Sequence, residues 1–216
     1  CPFHERMSHL NDLTGQKIIV SGATGGIGEG ITRQLLQNGA TVVALSRSDE
    51  KAKRLTDFVS DIQKGEFIPL AVNIDQPEHQ RQIIQNQLAH QFGSFDGAIV
   101  SIGAWGTSGI PLLHIPDDMW EQAIQDNLTS HFRAVTILVP LLKETGAFIH
   151  LSGLSADRPY PGAGLIGLTN AAKKSLLLTL AAERSQQSPR IYELIIGPIR
   201  TRERIQNGIA QNHWFY

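Results

Sequence analysis

Cysteine is all but missing from this sequence. The one thiol, Cys1, excludes an intrachain disulfide and any cysteine-based zinc cluster, so a reducing, cytoplasmic setting is expected and no metal is expected. An excess of charge is missing too. Nineteen Lys and Arg against 20 Asp and Glu leave a formal net charge of −1, which gives no footing for nucleic acid. No apolar run reaches the length of a membrane span, and no charged start followed by an apolar stretch marks a signal peptide. With 41% hydrophobic and 18% charged residues, the composition also excludes disorder. Tyrosine is scarce, occurring only at 160, 192 and 216. A length of 216 residues suits one domain with a sizeable core. We expect that domain over residues 7–216, with 1–6, ahead of Met7, as an upstream remnant.

What is present centres on Lys17 to Gly30, K-I-I-V-S-G-A-T-G-G-I-G-E-G. Ile18, Ile19 and Val20 suit a buried parallel strand. Glycines break it, and Ile27, Ile31 and Leu35 then recur at helical spacing until Asn38-Gly39, where a left-handed cap is expected. A strand running through a glycine turn into a helix brings backbone N–H groups and the positive end of a helix dipole to one point, the arrangement that holds a dinucleotide pyrophosphate. A turn that only tightens the corner is the plainer reading. Thr41 to Leu45 forms a second strand ending in Ser46-Arg47-Ser48. At that place an acidic residue binds the ribose 2′-OH of NAD, whereas arginine accommodates the 2′-phosphate of NADP. Ser46 carries no carboxylate and Arg47 follows, so NADP(H) is favoured over NAD, although a strand-end arginine can be an ordinary surface residue beside Asp49 and Glu50.

Strand and helix patterns alternate from there to the end of the described motifs. Ala52, Leu55, Val59 and Ile62 mark a helix, Phe67 to Val72 a strand, Ile84, Leu88 and Phe92 a helix closed by Gly93, and Phe95 to Ser101 a fourth strand. Ala104 to Pro116, with Trp105 and His114, is a Gly/Pro-rich loop long enough to cover a cleft. Trp120, Ile124, Leu128, Phe132, Val135 and Val139 trace a long helix that ends in K-E-T-G. Ala147 to Ser152 is the fifth strand, Leu168, Ala172, Leu176 and Leu180 stripe another helix, and Ile191 to Ile196 is the sixth strand. This alternation predicts an α/β, doubly wound parallel sheet with helices on both faces, a Rossmann-type fold.

Gly22, Gly26 and Gly28 are spaced as in the TGxxxGxG loop of the short-chain dehydrogenase/reductase family, with Ser21 in place of Thr. The chain resembles that family from Gly15 to Thr201. The resemblance implies cofactor contacts from Gly22, Thr24, Gly26, Ile27 and Gly28, from Ser46, Arg47 and Ser48 at the ribose, and from Asn73 and Ile74 at the adenine. It also implies contacts from Gly103, the survivor of the family's N-N-A-G, and from Ile199 and Thr201 in G-P-I-R-T at the nicotinamide carboxamide. Asn127 matches the family's helix asparagine.

The family's chemistry needs a Ser to polarise the substrate oxygen, a Tyr as acid or base and, in Y-x-x-x-K, a Lys that lowers the Tyr pKa. No Y-x-x-x-K occurs here. Alignment sets Gly153, Ile166 and Asn170 at the Ser, Tyr and Lys positions, and losing a positioned acid forfeits about 10²- to 10⁴-fold in rate. Asn127, Ser152 and Tyr160 are therefore the candidate catalytic residues, with His150 and Lys174 nearby as further stand-ins. Two functions follow. One is an NADP-dependent oxidoreductase acting on a small carbonyl or alcohol with a nonstandard proton donor. The other is a catalytically inactive, structural or redox-sensing nucleotide-binding protein. The resemblance further implies a homodimer or homotetramer built on the helices near Trp120 to Thr145 and Leu165 to Ser185. It implies a seventh strand too, for which Arg202 to Tyr216 is short, and Trp214, Phe215 and Tyr216 suit either docking or the start of that element.

Overall fold

The computed structural model describes residues 12–104, 109–184 and 189–208; Trp105 and the terminal aromatic cluster lie outside them. Six parallel strands form one sheet in the order β3-β2-β1-β4-β5-β6. They are β1 Lys17–Ser21, β2 Thr41–Ser46, β3 Glu66–Ala71, β4 Phe95–Val100, β5 Leu142–Gly153 and β6 Arg190–Ile196. Each neighbouring pair is parallel, for example Val20 beside Ala44 and Ile99. The reversal of strand order between β1 and β4 opens the crevice where such sheets take ligands.

The helices are α1 Gly26–Gln37, α2 Asp49–Val59, α3 Glu78–Phe92, α4 Asp117–Ile124, α5 Ser130–Leu138, α6 Gly164–Glu183 and α7 Arg202–Gln206. Because side chains alternate along a strand, β1 divides its run between two cores. Ile18 and Val20 pack with Leu36 of α1 and with Leu55 and Val59 of α2. Ile19 lies on the other face with Phe148, Val135, Leu138 and Leu177, under α3, α5 and α6. At the end of α1, Gly39 takes φ +90°, a left-handed turn after Asn38.

Three sequence expectations need correction. The long helix does not run to K-E-T-G: Pro140 lies in a 3₁₀ turn, Val139–Leu141, and residues 143–146 already belong to β5, with an irregularity in the pairing between Phe95 and Gly97. That helix also changes face partway. Gln125–Thr129 form a π turn, which inserts an extra residue, so the face traced in fours through Leu128 to Phe132 moves to His131 and Val135, and Phe132 is left exposed. On α6 the buried ridge is Leu165, Thr169, Lys173 and Leu177 rather than the apolar series beginning at Leu168, which is exposed. This helix is apolar over most of its circumference, so periodicity alone does not select the face. Trp120, Phe132, Leu168 and Leu178 are exposed on the helices the resemblance assigns to self-association. Among the described residues β6 is the edge of the sheet and exposes Tyr192 and Leu194.

Candidate nucleotide and substrate site

Close packing requires glycine in the turn between β1 and α1. Gly22 has φ +80°, and a Cβ there would strike the Ser101 carbonyl. A Cβ on Gly28 would strike the carbonyl of Gly22, and one on Gly26 would lie 2.7 Å from Thr201 Cβ. The N-cap of α1 is Gly25, which offers no side-chain acceptor, so the first helical N–H groups keep their donors. Thr24 and Ile27 are half-buried beside them. The cradle is thus narrow, built of backbone and rich in donors, and it fits a pyrophosphate.

At the end of β2, Ser46 is buried, accepts from the N–H of Ser48 at 3.2 Å and donates to its carbonyl at 2.8 Å. Ser48 Oγ accepts from Lys51 N–H and caps α2. Arg47 stands exposed between them and forms no ion pair among the described residues. Beyond β3, Asn73 Oδ1 accepts the Asp75 N–H at 3.0 Å, and Ile74 is buried. Arg133 reaches Asp75 at 2.6 Å and so ties α5 to this turn.

Asn127 is buried in the π turn, where its Oδ1 accepts from Ala104 N–H at 2.8 Å and its Nδ2 donates to the Ala123 carbonyl. It holds the segment after β4, where a Cβ on Gly103 would lie 3.6 Å from that oxygen. On the far side, Ile199 accepts from Arg204 Nη1 at 2.8 Å, and Thr201 Oγ1 accepts the Arg204 N–H as the N-cap of α7. Arg202 then clasps Glu29 through two bonds, at 2.7 and 3.1 Å, with its guanidinium 4.2 Å above the Phe58 ring. Thr201 is held over the glycine turn in this way.

The candidates for proton transfer separate. Tyr160 is exposed and lines a cleft of about 900 Å³ together with Leu112, Ser155 and Leu168. Ser152 points inward with its hydroxyl buried and unpaired among the described residues, so a substrate in that cleft does not reach it. Lys174 is engaged with Asp157 at 2.5 Å. His114 is exposed in a 3₁₀ turn. His150 is fully buried against His131, with ring centroids 4.1 Å apart in an edge-on arrangement, and none of the four ring nitrogens has a hydrogen-bond partner among the described residues. Burial, with the Lys173 charge adding to it, lowers the His150 pKa to about 3. His131 falls well below its ordinary value through burial, His150 and Lys173. Burial lowers Lys173 to about 8, opposed by Glu193. Both imidazoles are therefore neutral at pH 7, and no described residue pairs a tyrosine with a lysine.

Sequence reasoning passed over Lys173, His131, Glu193 and Ser155. Lys173 is recoverable from the spacing 165, 169, 173, 177, once polar residues are allowed on a buried ridge. Ser155 carried no signal, because its role depends on a neighbour 15 positions away.

A family model described as enoyl-(acyl carrier protein) reductase matches residues 22–215. An uncharacterized oxidoreductase of Listeria innocua is 26% identical over 188 residues, covering 86% of this chain and 74% of the relative. The fold matches yciK, an oxidoreductase of E. coli, with TM-score 0.79 and 21% identity over 95% of this chain and 86% of that one. It also matches a 3-oxoacyl-[acyl-carrier protein] reductase of Brucella melitensis with bound NAD, with TM-score 0.76 and 19% identity over 93% and 79%.

Proposed function

The chain belongs to the short-chain dehydrogenase/reductase family, and from that premise we propose that it binds NADP(H) along the β1–α1 turn and acts as an oxidoreductase on a small carbonyl or alcohol. The observation that carries this reading is the cradle of Gly22, Gly26 and Gly28 at an uncapped helix start, with the free Arg47 at the end of the next strand. Backbone N–H groups of the turn hold the pyrophosphate, and Arg47 pairs with the 2′-phosphate. Asn127 fixes the 103–104 segment, and Thr201 closes the site from the α7 side. Bound NADP(H) supplies or accepts the hydride. Proton transfer at the substrate oxygen has no positioned Tyr–Lys pair among the described residues, so turnover is slow. The same lack favours a second reading, a nucleotide-binding protein without turnover.

Thermal unfolding with NADPH, NADH and neither tests the proposal, with Arg47→Ala alongside. Ligand at about 100 times its dissociation constant adds about 2.7 kcal/mol, or roughly 5–10 °C for a chain of this size. Selective stabilisation by NADPH that Arg47→Ala abolishes supports the site. No shift with either nucleotide sinks both readings, and a carbonyl panel with NADPH separates them.

A further inference from the structure

Two of the three positions that lack the family's catalytic side chains touch each other. A Cβ on Gly153 would lie 2.9 Å from Asn170 Nδ2 and 3.6 Å from Ser155 Oγ. A side chain at 153 and the Asn170 amide in this place exclude one another, so the bare backbone at the end of β5 is what admits the amide from α6. That amide is engaged. Asn170 Nδ2 donates to Ser155 Oγ at 2.9 Å, and Asn170 is only 7% exposed, so little water competes for the bond.

Ser155 belongs to a 3₁₀ turn, Leu154–Ala156, that rests on α6 and lines the cleft beside Tyr160. A serine hydroxyl has one hydrogen and two lone pairs. With a lone pair taken by Asn170, the hydrogen is left to donate, and no described residue accepts it.

We propose that Ser155 is the hydrogen-bond donor that meets the carbonyl or hydroxyl oxygen of the substrate in this cleft, and that Asn170 is the positioning residue that aims it through the room left at Gly153. This rests on the oxidoreductase reading above. An amide carries no charge and no proton that it can give up, so the pair binds and polarises an oxygen without supplying a proton. Recognition of the substrate oxygen is thereby kept, although the proton donor is not.

The test titrates the full chain, saturated with NADP⁺ so that no reduction occurs, with ethyl acetoacetate, a small 3-oxoester. Binding is followed by its dissociation constant and by the Asn170 side-chain amide signal in NMR, identified by its loss in Asn170→Asp. The probe should move that signal. Ser155→Ala should weaken binding about 3- to 10-fold, the span of one neutral hydrogen bond, while Ser155→Thr retains it. Asn170→Ala should weaken binding as Ser155→Ala does, and the double variant no further, because the two act as one unit. Gly153→Ser should do the same by displacing the amide. The proposal is overturned if wild type does not bind the probe, if binding leaves the amide signal unmoved, or if Ser155→Ala binds as wild type. A failure of the nucleotide reading shows separately, as no stabilisation by NADP⁺. The titration without nucleotide then decides the role of Ser155 by itself.

Discussion

Lowering the pH from 8 to 5 should cost this protein more stability than its surface charges account for, because of the His131–His150 pair. In the unfolded chain each imidazole titrates near pH 6.5. In the native state His150 stays neutral down to about pH 3, and His131 is held well below its ordinary value as well. Between those limits the unfolded state binds more protons, so stability rises with pH; the contribution is complete above the unfolded pKa and is lost as the pH falls. At pH 5 the unfolded state gains about 2 kcal/mol from His150, and His131 adds to this in the same direction, out of a usual total of roughly 5–15 kcal/mol. Lys173 opens a second window. Its native pKa of about 8 lies below the ordinary 10.5, so stability climbs again as the pH rises from 8 to 10, by at most about 3 kcal/mol. Urea unfolding of wild type and His131→Leu/His150→Leu at pH 8, 6.5 and 5 measures the first window, and Lys173→Met at pH 8 to 10 the second. The double variant should lose far less between pH 8 and 5. If it and wild type fall in parallel, the imidazoles are not held neutral and the reasoning fails.

Gly22 and Gly15 share nearly the same φ, +80° and +81°, but a Cβ on Gly22 meets the Ser101 carbonyl while one on Gly15 meets nothing within 4 Å. Gly15→Ala should therefore cost only the left-handed strain of about 1–3 kcal/mol, and Gly22→Ala clearly more; equal losses in urea unfolding would refute a steric demand in the turn. Arg202→Ala removes a partly exposed ion pair with Glu29 and the stack on Phe58, together about 1–2 kcal/mol. It should lower Tm by roughly 2–8 °C and speed tryptic cleavage at Arg204, and an unchanged cleavage rate would show that the clasp does not hold α7.

The parallel sheet was legible because β1 and β2 are short β-branched runs between turn residues, and the glycine spacing marked the strand-to-helix turn that follows β1. These are local signals, each complete within about ten residues. The helix faces were less legible where local rules bend. The π turn at Gln125–Thr129 adds a residue that no hydrophobic count reveals, and α6 buries Thr169 and Lys173 in a ridge that a search for apolar residues passes over.

The substrate side was hidden for a different reason. Gly153, Ile166 and Asn170 each read as a loss when set singly against the family pattern, yet Gly153 and Asn170 form a single steric solution. Restoring a serine at 153 alone would collide with the amide, and restoring lysine at 170 alone would replace the amide that Ser155 accepts from by a longer ammonium with no tyrosine to act on. Neither reversion should raise turnover by itself, and the pair together still lacks a phenol at Ile166. A gain in NADPH-dependent carbonyl reduction thus requires Gly153→Ser, Ile166→Tyr and Asn170→Lys in one chain, because the proton donor, its ammonium partner and the space for both are properties of the set.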